Sequence, residues 1–184
     1  QALGWGRYLA ERAGQVPVLW QTATVHPFLR DGYLRLVPGT DAGPHPIPGR
    51  IEAEAYDTGG PGTAYHDTTA GNEGGQYHDD DVDIERTTDE GGGYNVGWME
   101  KGEWLAYTVE VASSGRYDLQ ARVSSALDQR INETLPGAGS VSWTVPLTRV
   151  LHIELDGTDV SGPMVFVATG GWQNWASVVA RQIP

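Results

Sequence analysis

Two alternating runs joined by a short turn decide the fold of this chain: LAYTVEV at residues 105–111 and YDLQARV at 117–123, with SSG at 113–115 between them. In each run apolar side chains occupy every second position, and polar or small side chains lie between them. A strand places successive side chains on opposite faces, so this period of two predicts strands with one buried face. The small residues between the runs predict a turn of the chain.

The same pattern recurs on both sides of this pair. LHIEL at 151–155 alternates and ends at Asp156-Gly157, a pair that favours a tight turn. IEAEA at 51–55 alternates apolar and acidic residues, and an apolar run follows at 164–168. With 25 glycines and 11 prolines, the chain is typical of short strands joined by turns. The sequence therefore predicts an all-β fold, an antiparallel β-sandwich or jelly roll, with helix favoured only over residues 6–13.

The composition restricts the class of function. The 184 residues carry a formal net charge of −12, so nucleic acid and anionic membranes would repel the chain. The absence of cysteine excludes a disulfide framework, a thiol nucleophile and a cysteine-based zinc site. Seven tryptophans and eight tyrosines stand against two phenylalanines, which suits a half-wet binding site because Trp and Tyr combine a flat ring with a polar group. An acidic surface also suits calcium binding and an extracellular location.

Residues 1–49 differ from the main domain, which is predicted at 50–184. They are richer in arginine and end in a stretch rich in proline and glycine at 38–46, typical of a linker. Two interpretations follow. The segment is the tail of a preceding domain, or it supplies strands that complete the sandwich. The strand-like pattern GYLRLV at 32–37 favours the second.

Three features are candidates for chemistry: Trp98 in NVGW, Trp172 in GGWQ, and the acidic run DDDVDIE at 79–85. Both tryptophans follow glycine at the end of a turn, where a large side chain is expected to be exposed. The alternative for each is packing in the core, which is the commoner role of a tryptophan. The alternative for the acidic run is a solvated surface.

Four motifs together resemble the family 6 carbohydrate-binding modules. The resemblance covers about residues 50–125 and 151–180 in the family's order, and it rests on IEAE at 51–54, GGGYNVGW at 91–98, GEWLAY at 102–107 and ATGGWQNW at 168–175. Such modules are β-sandwiches, usually attached to glycoside hydrolases that act on cell-wall polysaccharides. The resemblance therefore implies a secreted, non-catalytic partner of a glycoside hydrolase.

The resemblance also implies the binding residues. Trp98 and Trp172 are expected to clamp one sugar ring at the loop end of the sandwich. Glu85, thirteen positions before Trp98, is the expected acidic contact, and Tyr94 and Gln173 are further polar contacts. A carboxylate accepts two hydroxyl hydrogen bonds at once, which suits a sugar diol.

A structural Ca²⁺ is implied as well, held by Glu52 and Glu54 on the first strand of the module. Carboxylate oxygens suit this hard cation, and alternate residues of a strand point the same way. The alternative is a solvated strand face. The aspartates at 79–83 are a candidate for a second calcium site, with a solvated charge run as the alternative.

The chain departs from the family pattern in two places. Residues 126–150 form a segment longer than the family's tight turn, and the sequence ends at Pro184, before two further strands of the family. A sandwich that lacks strands exposes edges and core. We therefore expect residues 17–38 or 138–150 to complete the sheet, either within one chain or by strand exchange in a dimer.

The leading hypothesis for function is polysaccharide or oligosaccharide binding, with β-glucan or agarose-type galactan as ligand and xylan next. A small glycoside hydrolase that uses Asp83 and Glu85 is one alternative, because both lie on one face if that run is a strand. A calcium-stabilised structural or adhesive β-domain without a sugar site is the other.

Overall fold

The computed structural model describes residues 3–12, 18–24, 32–37, 44–126, 129–135, 139–145 and 147–183. Within these ranges the chain forms strands and no helix, so the prediction of an all-β fold is confirmed. The strands are β1 (Leu3–Arg12), β2 (Val18–Thr24), β3 (Gly32–Val37), β4 (His45–Ile47), β5 (Arg50–Glu52), β6 (Tyr65–His66), β7 (Ile84–Arg86), β8 (Tyr94–Val96), β9 (Trp104–Val111), β10 (Tyr117–Ser125), β11 (Gln129–Leu135), β12 (Gly139–Val145), β13 (Thr148–Leu155), β14 (Thr158–Asp159), β15 (Met164–Val167) and β16 (Gly171–Ile183).

The strands form two seven-stranded sheets and one separate hairpin. The first sheet has the order β16-β10-β1-β2-β5, with β8 beside β1 and β7 beside β8. The second has the order β14-β13-β3-β9-β4, with β15 beside β13 and β6 beside β9. The hairpin consists of β11 and β12, which pair only with each other among the described strands. The two large sheets are the layers of a β-sandwich.

The core lies between these sheets. Alternate residues of β10 (Leu119, Ala121 and Val123) are buried from one side, and alternate residues of β13, such as Leu151 and Ile153, are buried from the other. The residues between them are half-buried. The period of two read from the sequence is therefore the period of burial in β10 and β13, whereas residues 105–109 of β9 are all buried.

The strands predicted with the clearest alternation are confirmed. β9 and β10 contain the two runs that decide the fold, and β13 contains LHIEL. The Asp156-Gly157 pair joins β13 to β14 with φ of 50° and 75° at its two residues. Two successive left-handed residues are the signature of the tight hairpin turn that this pair favours.

Three expectations are corrected by the structure. Of the segment predicted as helix at 6–13, residues 6–12 lie in β1, which pairs with β2 and β10 and so takes its conformation from tertiary contacts; residue 13 lies outside the described residues. The strand predicted over 51–55 ends at Glu52, where the Ala55 amide donates to the Glu52 carbonyl (3.0 Å) and turns the chain. The sheets are not wholly antiparallel: β3 runs parallel to both β9 and β13.

The segments at 1–49 and 126–150 supply strands. β1 and β2 lie in the first sheet, and β3 lies between β9 and β13 in the second. This pairing within one chain is the arrangement described by the second interpretation of residues 1–49. The boundary at residue 50 and the strand-exchanged dimer stay predictions. No helix in the described ranges is long and apolar enough to cross a membrane.

Candidate functional site

A bulge in β16 presents Trp172. Ser124 of β10 pairs with Trp175, whereas the next residue, Ser125, pairs with Gly171, so residues 172–174 leave the ladder. The Ser124 hydroxyl contacts the carbonyls of Gly171 (2.8 Å) and Trp172 (2.5 Å), which fixes the base of the bulge. Bulges of this kind re-aim side chains beside functional sites.

The glycines before Trp172 are required by the geometry of this turn. Gly170 has a φ of 86°, in the left-handed region that favours glycine. A Cβ at Gly171 would lie 2.9 Å from the side-chain amide of Asn174. The motif GGWQ therefore specifies a backbone shape that carries Trp172 and Gln173 out of the sheet.

The β7–β8 ribbon supplies the polar part of the site. Glu85 and Asn95 are direct partners across the ribbon, and the Asn95 side-chain amide donates to Glu85 Oε1 (3.3 Å). Gln173 Nε2, from the bulge, donates to Glu85 Oε1 (2.9 Å) and to Asn95 Oδ1 (3.2 Å). The Thr88 amide donates to Gln173 Oε1 (2.8 Å). These contacts hold the bulge against the ribbon, and we call Glu85, Asn95 and Gln173 the amide–carboxylate cluster.

Trp98 follows the ribbon on a strained backbone. Its φ is 53°, unusual for a bulky residue, and the preceding Gly97 amide donates to the Asp83 carbonyl (2.7 Å). Strain of this kind is retained where the surrounding structure enforces it, which is common at binding sites. Both Trp98 and Trp172 are half-buried, and neither belongs to the core cluster.

The structure thus places the predicted site residues in two groups. Glu85 and Gln173 are in contact, Trp172 adjoins Gln173, and Trp98 lies three residues beyond Asn95. Tyr94 is separated from them. It pairs with Arg86 on the opposite face of the ribbon from Glu85 and Asn95, because neighbouring residues of a strand point to opposite sides. Its ring lies 5.3 Å from the Arg86 guanidinium.

The structure divides the acidic run between the loop that precedes β7, which holds Asp83, and β7 itself, which holds Glu85. β7 begins after Asp83, and the Asp83 side chain is 2% exposed and accepts from the Glu73 amide. Burial, followed by the negative charges of Asp67 and Glu73, raises the pKa of Asp83 to about 7. Within the same run, Asp80 accepts hydrogen bonds from the Tyr56 hydroxyl (2.8 Å). Through these hydrogen bonds the Asp80 and Asp83 carboxylates stabilise the loop at 67–83.

The described residues do not assemble a calcium site around the predicted ligands. Glu52 forms an ion pair with Arg50 (2.7 Å), and Glu54 lies beyond the end of the strand, 6% exposed. Glu54 therefore lies outside the strand that holds Glu52. In the parts of the chain that the structure describes, no group of three or more His, Asp or Glu side chains is placed to hold a metal ion. Ca²⁺ binding by Glu52 and Glu54 stays a prediction that requires further ligands.

Three residues of the site were not singled out from the sequence. Asn95 is fully buried at the centre of the amide–carboxylate cluster, and its position inside the motif NVGW was the signal for it. Thr88 contacts Gln173 through its backbone amide, and Ser124 contacts the Trp172 carbonyl through its hydroxyl. Contacts of this kind leave no sequence signal, because they depend on register between distant segments.

A β-sandwich that carries half-buried aromatic side chains near fixed hydrogen-bonding groups suits the binding of carbohydrate. Residues 73–150 match the model of the family described as carbohydrate binding module (family 6). The match over residues 73–150 supports a family 6 carbohydrate-binding module, which confirms the resemblance predicted from the sequence. The matched stretch contains Glu85, Asn95 and Trp98. The match supports carbohydrate binding without catalysis.

One curated relative is similar to part of the chain. The clotting factor G alpha subunit of Tachypleus tridentatus is 33% identical over 99 residues, which is 53% of this chain and 12% of that protein. The chain therefore corresponds to a small part of that relative's length.

Proposed function

We propose that the protein binds a polysaccharide chain by clamping one sugar ring between Trp98 and Trp172, and that it directs an attached glycoside hydrolase to its substrate. The contacts of Gln173 are the main support for this proposal. Its hydrogen bonds to Glu85 and Asn95 draw the bulge that bears Trp172 against the ribbon that leads to Trp98. This contact supports a shared site for two residues that lie 74 positions apart in the sequence (172 − 98).

The chemistry of the site suits a pyranose. The C–H faces of the sugar gain from burial on an indole, and the hydroxyls at the rim need hydrogen-bond partners. Glu85 supplies a carboxylate acceptor whose position is fixed by two amides. A preformed site of this size is expected to bind with a Kd between about 1 μM and 1 mM, about −8 to −4 kcal/mol.

We propose β-glucan or agarose-type galactan as the ligand, with xylan next, and a secreted, extracellular location. The formal charge of −12 agrees with a neutral glycan and with solubility outside the cell. The clotting factor G alpha subunit is much longer than its similar stretch. This size difference supports a module that works as part of a larger chain.

The test is binding to β-1,3-glucan, agarose and xylan oligosaccharides, measured by calorimetry on the wild type and on Trp172→Ala. The variant should lose most of the affinity while its unfolding temperature stays close to that of the wild type. Trp104→Phe, at the start of β9 in the other sheet, is the matched control and should bind normally.

Three results would overturn the proposal. Normal binding by Trp172→Ala would show that Trp172 does not clamp the sugar. New reducing ends after incubation with the oligosaccharides would favour a hydrolase. Absence of binding to every glycan, together with an unfolding temperature that falls on addition of a chelator, would favour a calcium-stabilised structural domain.

A further inference from the structure

The loop that joins β7 to β8, at residues 87–93, has no part in the clamp itself. Its sequence TTDEGGG ends in three glycines whose φ values are 94°, 63° and 95°. Glycine adopts the left-handed region at no steric cost, but it also leaves the chain more conformational freedom than any other residue. These glycines therefore give the loop its shape, whereas its position on the sandwich depends on contacts with other segments.

The first of these contacts is an ion pair with β10. Arg122 Nη2 donates to Asp89 Oδ1 (2.7 Å), and Arg122 Nε donates to Asp89 Oδ2 (3.1 Å). Two parallel hydrogen bonds fix both the distance and the orientation of a guanidinium and a carboxylate. The Asp89 side chain is only 4% exposed. Arg122 Nη1 also donates to Ser177 Oγ (3.1 Å) of β16, so the pair docks the loop on two adjacent strands.

The second contact joins the same loop to the bulge that bears Trp172. The Thr88 amide donates to Gln173 Oε1 (2.8 Å), and the Thr88 hydroxyl lies 3.2 Å from the Gln173 carbonyl oxygen. Because Oε1 is occupied as an acceptor, the amide is turned so that Nε2 donates to Glu85 (2.9 Å). Thr88 and Asp89 are consecutive residues, so the ion pair fixes the backbone next to the group that orients Gln173.

The turn within the loop closes without the Asp89 carboxylate. The Asp89 amide donates to Thr87 Oγ1 (3.1 Å), the Gly92 amide donates to the Asp89 carbonyl (3.0 Å), and the Thr87 amide donates to the Gly93 carbonyl (3.2 Å). These hydrogen bonds use the backbone and one hydroxyl. The Asp89 carboxylate therefore docks the loop on the sheet rather than closing its turn.

We propose that Asp89 and Arg122 are a positioning pair for the clamp: by docking the 87–93 loop they hold Gln173, and with it the Trp172 bulge, in the arrangement that accepts a sugar ring. The role of the bulge as a sugar site rests on the proposed function, whereas the docking is a property of the protein without ligand. Neither side chain touches the sugar. An undocked loop lowers the fraction of molecules whose bulge is arranged for binding, and the apparent Kd rises by the inverse of that fraction.

The main variant is Asp89→Ala, which removes the carboxylate and keeps the backbone hydrogen bonds of the turn. The Arg122 side chain is 24% exposed and retains Ser177, so its charge still reaches water. Asp89→Asn keeps an acceptor oxygen without the charge and should show a smaller effect in every measurement. The matched control is Arg181→Ala, which breaks another Arg–Asp pair between β10 and β16, with Asp118 (2.8 Å), away from the loop.

The first measurement needs no sugar. Hydrogen exchange of the Thr88 amide, followed by NMR, reports the contact with Gln173 directly, since this amide is the donor. We expect exchange to become at least about tenfold faster in Asp89→Ala and to stay at the wild-type rate in Arg181→Ala. Wild-type exchange at Thr88 in Asp89→Ala would overturn the positioning pair, and Asp89→Asn provides the same test if the alanine variant does not fold.

The second measurement separates positioning from stability. Stopped-flow binding of β-1,3-glucan, agarose and xylan trisaccharides is recorded at a temperature at which every variant is fully folded. The association rate of Asp89→Ala should fall about three- to tenfold, and its dissociation rate should stay within about twofold of the wild type, because only the population of the competent state changes. A purely structural pair would lower the unfolding temperature and leave both rates unchanged.

The two measurements distinguish the possible failures. Faster exchange at Thr88, together with no binding of any glycan by the wild type, would contradict the proposed function alone, because the docking is measured without sugar. Faster exchange with a wild-type association rate would show that the clamp does not depend on the loop, and would overturn the positioning role of Asp89 and Arg122.

Discussion

The two faces of the β7–β8 ribbon are built by different means. On one face Glu85 and Asn95 meet Gln173 through hydrogen bonds of 2.9–3.3 Å, around an amide with no exposed surface. On the other face Tyr94 carries Tyr77 by ring packing, with more than half of the outer ring exposed. The first arrangement depends on hydrogen-bond distances, which must be kept to within tenths of an ångström. The second depends on contact between the surfaces of two rings. The stability of the first face should therefore be sensitive to the removal of one hydrogen-bonding group, whereas that of the second should depend on ring contact.

The largest effect is expected from Asn95→Ala. Removal of this buried amide leaves Gln173 and Glu85 each without one partner, which should lower the free energy of unfolding by about 2–3 kcal/mol. It should also weaken glycan binding, because the bulge loses its attachment to the ribbon. Gln120→Ala, a half-exposed amide on β10 that contacts Ser177, is the control and should change the stability by less than about 0.5 kcal/mol. Chemical denaturation of both variants gives the comparison, and equal stability would contradict it.

Asp83 joins the two faces and should make the stability depend on pH. Its carbonyl accepts from Gly97, beside Trp98, and its side chain accepts from Glu73, in the loop that carries Tyr77. Burial and nearby negative charge raise the pKa of Asp83 to about 7, and burial and the charge of Glu103 raise that of Asp67 to about 6. Folding therefore takes up protons. This contribution is complete below about pH 4 and is lost as the pH rises through about 7.

The unfolding free energy should accordingly fall by about 1–3 kcal/mol between pH 5 and pH 8. Asp83→Asn keeps an acceptor for the Glu73 amide but does not titrate, so it should remove most of the slope. Denaturation curves of the wild type and Asp83→Asn at pH 5 and pH 8 measure this pH dependence of the unfolding free energy. A slope that Asp83→Asn leaves unchanged would assign the effect to other groups.

Glu85→Gln removes the negative charge of this side chain on the first face but keeps its shape, so it shows the effect of the charge alone. The amide can still accept from Asn95 and Gln173, so the stability should stay within about 0.5 kcal/mol of the wild type. The loss of a charged acceptor should reduce the affinity for oligosaccharide by about 1–2 kcal/mol, a roughly 5- to 30-fold rise in Kd. Calorimetric titration measures this change. Wild-type affinity in this variant would show that the carboxylate does not contact the ligand.

A small change in stability is expected from Tyr77→Asn on the second face. The variant loses ring contacts with Tyr94 and His78, but asparagine adopts the left-handed backbone at lower cost than tyrosine. The two terms oppose each other, so the unfolding free energy should change by less than about 1 kcal/mol. A loss above about 2 kcal/mol in thermal or chemical denaturation would show that the ring contacts stabilise the fold by much more than the left-handed backbone costs.

The sequence predicts the parts of the fold in which one strand's own pattern decides its burial. β10 and β13 show the period of two because their alternate residues face the core, and Asp156-Gly157 shows its turn because few residues accept two left-handed positions. Glycine before tryptophan likewise carried the signal of the bulge at Trp172. These features are local.

Features that depend on distant pairing could not be predicted. The segment at 6–13 has helical character in isolation, yet β1 pairs with strands on both sides. The end of β5 at Glu52 depends on a turn that moves Glu54 off the strand. The separation of Tyr94 from Glu85 follows from the register of β7 on β8. The family resemblance indicated which residues belong to the site but not which of them share a face.

The central claim is that Trp98 and Trp172 hold the same sugar ring, and a double-mutant cycle tests it most directly. Calorimetric affinities of the wild type, Trp98→Ala, Trp172→Ala and the double variant for one soluble trisaccharide give the coupling energy between the two indoles. A shared ring predicts that the double variant loses less than the sum of the single losses, by at least about 0.5–1 kcal/mol. Strict additivity would mean that the two tryptophans act at separate places and would contradict the clamp.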